Sequence, residues 1–249
     1  MNLTIDLTIS FTGIAHLLAF FAVIVLSHRL FQYWKKEKNI FSRIFFYFFF
    51  LFAIFMLITA IGGLFFADNA QALRWVIILT SFIQNIGLAA FAYLIVYLKL
   101  PRISPWIGAV LVFVLGMIST IWIFLSDFTP YLTEAGGIDW DIQNILGLNL
   151  FRSFLFLITF LPLILILVGQ IRASGDPVIK RKAFYFGIII VFGGIVGLFD
   201  FILEPNLGLP SFSSDIAMAA LSFFAFIFVI VTQKKVSEDL SKPVEKVKI

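Results

Sequence analysis

Three features of the chain predict an all-α fold, an integral membrane bundle of seven transmembrane helices with the N-terminus outside and the C-terminus cytoplasmic. The first is composition: of 249 residues, 61% are hydrophobic and only 13% charged, whereas a soluble domain of this size is closer to half apolar and a quarter charged. The second is length, because a helix needs about 20 consecutive apolar residues to cross the hydrocarbon core, and seven such runs follow one another. The third is charge: every Lys and Arg except Arg74 and Arg152 falls in alternate linkers, at the helix ends beside them, or in the tail. Basic loops are retained in the cytoplasm, so this alternation sets the orientation.

The expected helices cover residues 9–32, 41–66, 73–98, 105–126, 146–171, 181–204 and 211–233, forming one transmembrane domain over 1–235. The first run should remain as a helix, since the residues before it carry Asp6 and no basic n-region of a cleavable signal. The first, third and fifth linkers are basic, with Arg29, Lys35, Lys36, Lys38 and Arg43, then Lys99 and Arg102, then Arg172, Lys180, Arg181 and Lys182. The one long linker, 127–145, lies on the other side and holds Pro130, the Gly136-Gly137 pair, four acids, and Tyr131 and Trp140 at a depth suited to headgroups. Pro162 is the only proline well inside a run, so the fifth helix should kink there, with Thr159 placed to help satisfy the freed carbonyls. The sixth and seventh runs form a hairpin through Glu204-Pro205-Asn206-Leu207-Gly208-Leu209-Pro210, and residues 236–249 make a short cytoplasmic tail.

Composition also excludes chemistry. With no cysteine, disulfides, thiolate metal sites and cysteine nucleophiles are impossible, and with His16 and His28 alone a histidine-rich metal site is not expected. No cofactor is implied. The formal net charge of +4 is a topology signal with affinity for anionic lipid heads, and it gives no reason to expect nucleic-acid binding. The bilayer is thus the first partner, and a homo-oligomer is compatible with the pattern.

Counting along the helices at roughly 1.5 Å per residue puts Arg152, Asp200 and Asp215 about one turn inside the outer boundary, with His16 slightly deeper. Charges in hydrocarbon cost a few kcal/mol and find partners or water, so Arg152 is expected to pair with Asp200; Glu204 lies four residues on, on the same face. Two readings are open. In one, Arg152, Asp200, Asp215, Glu204, His16 and Arg74 line an outward cavity that binds a small polar ligand; in the other they are snorkelling groups and a structural salt bridge, which their depth near the edge favours. Gln84 and Asn85 sit halfway through the third helix, where amides act as interhelical glue or as a pocket floor. Gly193 and Gly197 have the spacing that permits close helix approach.

The seventh run has no lysine before Lys234, so a retinal Schiff base has no anchor at its usual place, and no phosphate-binding glycine loop, nucleophile elbow or zinc-spaced helix is present. The segment Asp176-Pro-Val-Ile-Lys-Arg-Lys-Ala-Phe-Tyr-Phe-Gly187, with Asp200, the Pro/Gly turn and the ending Val231-Thr-Gln-Lys-Lys235, resembles the end of the seven-helix N-terminal sensory region of bacterial and archaeal histidine kinases. That resemblance implies a membrane module in a prokaryotic plasma membrane. In that family the last helix continues into signalling domains; the tail here is short, so the expectation is a non-enzymatic sensor that acts through a separate cytoplasmic signalling protein. A small-solute carrier is the second expectation, and a lipid-modifying enzyme using Asp200, Glu204 and His16 as acid-base groups the third.

Overall fold

The computed structural model describes residues 10–142, 145–175, 177–198, 213–224 and 226–227. Over these residues the chain is an all-α bundle carrying one small β-hairpin: α1 (Phe11–Glu37), α2 (Ile40–Phe65), α3 (Ala70–Lys99), α4 (Pro105–Leu125), β1 (Tyr131–Leu132), β2 (Ile138–Asp139), α5 (Leu146–Ala173) and α6 (Pro177–Leu198). A further apolar helix, α7, covers Ser213–Phe224. Helices α1 to α5 are each long and apolar enough to cross a membrane, which is the architecture of a multi-pass membrane protein. Asp200, Glu204, the expected turn at 204–210 and the tail lie outside the described residues.

Helix α4 shows how the bundle differs from a water-soluble one. Its buried side holds Ala109, Val112, Gly116, Ser119, Thr120 and Ile123. Its exposed side holds Trp106, Ile107, Val110, Leu111, Ile118 and Ile121. Small and weakly polar groups face the other helices while bulky apolar groups face outward, because lipid tails are as good a solvent for Leu or Ile as a protein core is.

Short connections make consecutive helices antiparallel neighbours. Between α1 and α2, Lys38 takes a left-handed conformation (φ 49°) and its N–H bonds to Trp34 O, after which Asn39 caps α2 by accepting from Phe41 N–H at 2.8 Å. Helix α1 therefore continues past the expected end at Gln32 to Glu37, where Phe31 and Trp34 pack on Phe46 at 5.1 and 5.9 Å between ring centres. Helix α3 starts earlier than expected because Asn69 accepts from Ala72 N–H at 3.0 Å.

Glycines set several close helix approaches. At the start of α1, Ser10 donates to Gly63 O at 2.7 Å, and a Cβ on either Gly13 or Gly63 would come within 2.7 Å of the other helix's backbone. On α4, a Cβ on Gly116 would sit 2.5 Å from Asn85 Cγ. The core between α2, α3, α5 and α6 is aromatic: Phe48 stacks on Phe91 at 4.1 Å, Phe45 meets Phe186 at 4.5 Å, and Phe91 meets Phe160 edge-on at 5.6 Å. Gly193 and Gly194 lie against the Phe160 ring and Gly197 against Phe156, so the glycine face expected to allow close approach receives the α5 aromatics.

Helix α5 includes Pro162 within its span, and one expectation there is corrected. The Thr159 hydroxyl donates to Leu155 O and Phe156 O, not to Ile158 O, the carbonyl that Pro162 frees, because a helical threonine reaches back only to the preceding turn. The 127–145 linker contains the β1–β2 hairpin, with Tyr131 opposite Asp139 and Leu132 opposite Ile138. Gly136, at φ +81°, makes its turn.

Candidate functional site

The β-hairpin caps one end of the bundle, and beneath it lies a buried polar network. Gly136 O accepts from Phe11 N–H at 2.8 Å, and Ile138 N–H donates to the Thr12 hydroxyl oxygen at 3.0 Å, so the hairpin is pinned to the first turn of α1. The same Thr12 hydroxyl donates to Asp215 Oδ2 on α7 at 2.9 Å. One turn further along α1, His16 Nδ1 lies 2.9 Å from Thr12 O and His16 Nε2 lies 3.6 Å from Asp215 Oδ1. Both charged-type side chains are buried, His16 at 2% and Asp215 at 6% exposure.

The chemistry of this pair follows from its donors. A carbonyl only accepts, so Nδ1 carries the ring proton and Nε2 faces the carboxylate. A second proton, on Nε2, makes the ring an imidazolium and the contact an ion pair; without it, two acceptors face each other, and 3.6 Å is beyond a direct hydrogen bond. Asp215 is in either case held to α1 by the Thr12 hydroxyl.

His16 and Asp215 line a chamber of about 80 Å³ with Thr80 and Ser81 from α3 and Asn149 and Arg152 from α5, and Trp140 is also on its wall. Arg152 spans two spaces. It also lines a second, apolar chamber of about 130 Å³, deeper in the bundle, where its Nη2 donates to Gln84 Oε1 at 3.3 Å. The chambers share Phe55, Arg152 and Met218 as a common boundary.

Of the residues singled out in the sequence, His16, Asp215, Arg152 and Gln84 come together here. Asn85 and Arg74 do not. Asn85 Nδ2 donates to Gly116 O at 2.7 Å and to the Thr120 hydroxyl at 2.9 Å, locking α3 to α4. Adjacent helical residues point about 100° apart, so Gln84 turns to the chamber and Asn85 away from it. Arg74 caps the C-terminal end of α4 through Phe124 O at 3.0 Å and Ser126 O at 2.9 Å, with its guanidinium 5.0 Å from the centre of the Phe128 ring. It leaves the candidate site because carbonyls at a helix end attract a cation. The Arg152–Asp200 pair falls on a residue outside the described ones.

Sequence reasoning missed Thr12, the hinge of the network. Its only sequence signal was spacing, since Thr12 and His16 are four apart on one face. Asn149 carries a similar signal, three residues before Arg152. Among the described residues no three His, Asp, Glu or Cys side chains cluster as metal ligands.

No protein-family model matches the chain, and no curated protein or solved structure matches it. What fold and site define is a class: a helical multi-pass membrane protein with a mixed-charge chamber beneath a β-hairpin.

Proposed function

We propose that the chain is a non-enzymatic heptahelical membrane sensor, with the hairpin end outside and the basic ends of the helices in the cytoplasm of a prokaryotic cell. A small ligand occupies the chamber bounded by His16, Arg152 and Asp215, and the signal leaves through a separate cytoplasmic partner at the basic ends. The observation that carries this reading is that five helices supply the polar lining, Thr59 of α2 among them. Asp215 of α7 is held to α1 through Thr12 and His16, while Arg152 and Asn149 come from α5 and Thr80 and Ser81 from α3. A ligand bridging these helices stabilises one arrangement over another, which is the thermodynamic requirement for a switch. The sequence resemblance to kinase sensory regions supports the same reading. A polar-solute carrier is less well supported, because the inward continuation of the chamber is lined by Leu26, Phe48, Phe49 and Leu88, which offer such a solute no hydrogen bonds.

Two measurements test this. Since the chain has no cysteine, single cysteines report sidedness directly: an impermeant maleimide labels Thr133→Cys in intact cells and leaves Arg102→Cys unlabelled until the membrane is opened. The reverse pattern inverts the orientation. For sensing, spin labels at Lys99→Cys and Arg172→Cys in nanodiscs report the spacing of the basic ends of α3 and α5. A compound bound in the chamber shifts that spacing in the parent and not in Arg152→Gln. Unchanged spacing at saturation removes the sensor, and net uptake of the compound into sealed liposomes replaces it with a carrier.

A further inference from the structure

The turn between α3 and α4 combines two cations with exposed apolar side chains. It reads Lys99-Leu-Pro-Arg-Ile-Ser104. Pro101 stands second in a β-turn closed by Ile103 N–H on Leu100 O at 2.9 Å, which brings the backbone of those two residues within about 7 Å. Leu100 is 47% and Ile103 42% exposed, and Trp106, in the first turn of α4, is 67% exposed. Lys99 and Arg102 are exposed beside them. The turn is firmly seated. Tyr93 stacks on Tyr97 at 6.5 Å and meets Trp106 edge-on at 5.3 Å, and a Cβ on Gly108 would sit 2.5 Å from Val96 Cγ2. No acid occurs in the sequence between Asp68 and Asp127, and among the described residues no carboxylate bridges either cation.

We infer that this turn is a binding surface for the headgroup of an anionic phospholipid, with Lys99 and Arg102 on the phosphate and Leu100, Ile103 and Trp106 against the upper acyl carbons. The apolar side chains set the depth. Leu100 and Ile103 lie beyond the end of α3, where water would have to hydrate their apolar surface. With Trp106 and Tyr97, rings of the kind that settle at headgroup level, they draw the turn into the interface. The two cations are thereby held at the level of the phosphates instead of above them, and the fork of a guanidinium matches a phosphate with two parallel hydrogen bonds. Charge selects the lipid. Phosphatidylcholine brings its own ammonium to its phosphate, whereas the phosphate of phosphatidylglycerol has no cation of its own, and this hairpin supplies two with no acid to offset them. The α1–α2 turn is the contrast: it has more basic residues, but Glu37 stands among them and Lys35 lies over the Phe31 ring at 4.6 Å. An affinity for anionic lipid that charge counts alone would place at α1–α2 is thus localised at α3–α4. The surface requires nothing of the chamber or of the sensor reading.

The test uses the full chain in phosphatidylcholine nanodiscs, identical in both leaflets, with a small share of phosphatidylglycerol that carries a diazirine near the carboxyl end of one acyl chain. Crosslinks are expected at Leu100, Ile103 and Trp106, competed by unlabelled phosphatidylglycerol and not by glycerol phosphate. At sub-saturating probe, Lys99→Gln with Arg102→Gln lowers them roughly thirtyfold, since each basic residue near an anionic surface contributes about fivefold. Lys36→Gln with Lys38→Gln removes the same charge and leaves them near the parent level. Leu100→Ser with Ile103→Ser also lowers them, by lifting the turn from the interface. Lys99→Arg with Arg102→Lys keeps both charges and retains crosslinking, and every variant is compared at unchanged unfolding temperature, which separates lost charge from lost fold. Equal losses in the two glutamine pairs mean that binding follows net charge, and overturn the site. Competition by glycerol phosphate as strong as by the lipid makes this a surface for a soluble phosphate ester, and displacement of the probe by a polyglutamate peptide makes it a docking face for an acidic protein segment; either result overturns the lipid assignment. The sensor reading is decided separately, by the α3–α5 spacing.

Discussion

Two buried polar clusters in this bundle use similar side chains to opposite ends. At the α3–α4 contact, Asn85 bonds Gly116 O and Thr120, and its Cγ occupies the volume a Cβ at Gly116 would need. At the α1–α7 contact, Thr12, His16 and Asp215 are equally buried, but one side of them opens onto a chamber. The first cluster is filled and satisfied, which makes it interhelical glue. The second retains space beside its polar atoms, which makes it the candidate site. Burial and polarity together do not separate glue from site; unfilled volume beside the polar atoms does.

The contrast breaks first at its tightest point. Gly116→Val forces a branched side chain into the space of Asn85, and overpacking of this kind costs about 3 kcal/mol, read as a lower unfolding temperature in detergent and separation of α3 from α4. Next in size is the comparison between the clusters themselves. Asp215→Ala removes the carboxylate from His16 and Thr12 at a cost of about 2 kcal/mol, below the usual range for a buried pair because the chamber admits compensating groups, and it abolishes ligand binding. Asn85→Ala costs about 1 kcal/mol, the scale of a membrane interhelical hydrogen bond, and leaves binding intact. Equal binding losses in the two variants would erase the distinction between glue and site.

The smallest effect lies in the exposed hairpin. Tyr131 OH donates to Asp139 Oδ2 at 3.0 Å, and this bond to a carboxylate raises the phenol above its ordinary 10.0, with the neighbouring charge adding to it. A group raised on folding contributes stability that is present below pH 10.0 and fades as pH climbs through the raised value. Tyr131→Phe therefore abolishes a small alkaline loosening of the hairpin, seen as faster amide exchange at Phe11 and Ile138, and changes nothing at neutral pH beyond the loss of one exposed hydrogen bond.

The long apolar helices were legible because length and composition decide whether a segment can satisfy its backbone within hydrocarbon. The expected ends of α1 and α3 were not, since they rest on aromatic packing against α2 and on the Asn69 cap. His16, Asp215 and Arg152 were recognisable as polar side chains at one depth in apolar runs, yet the bonds that hold them, through Thr12 above all, were not. Arg152 was assigned by charge to Asp200, which lies outside the described residues, and its bond to the Gln84 amide of α3 had no signal in the sequence. Arg74 had the same sequence signature as Arg152, and a carbonyl cluster at the end of α4 claimed it.

By itself the sequence determined that this chain is a bundle of membrane helices with a basic end and an acidic one, because hydropathy and charge act residue by residue and need no partner to be read. Only the tertiary structure decided which polar groups are spent on packing and which surround a space. That choice depends on whether another helix's backbone, as at Gly116, or an open chamber, as beside Asp215, lies within hydrogen-bond reach, and reach is a property of the packed helices.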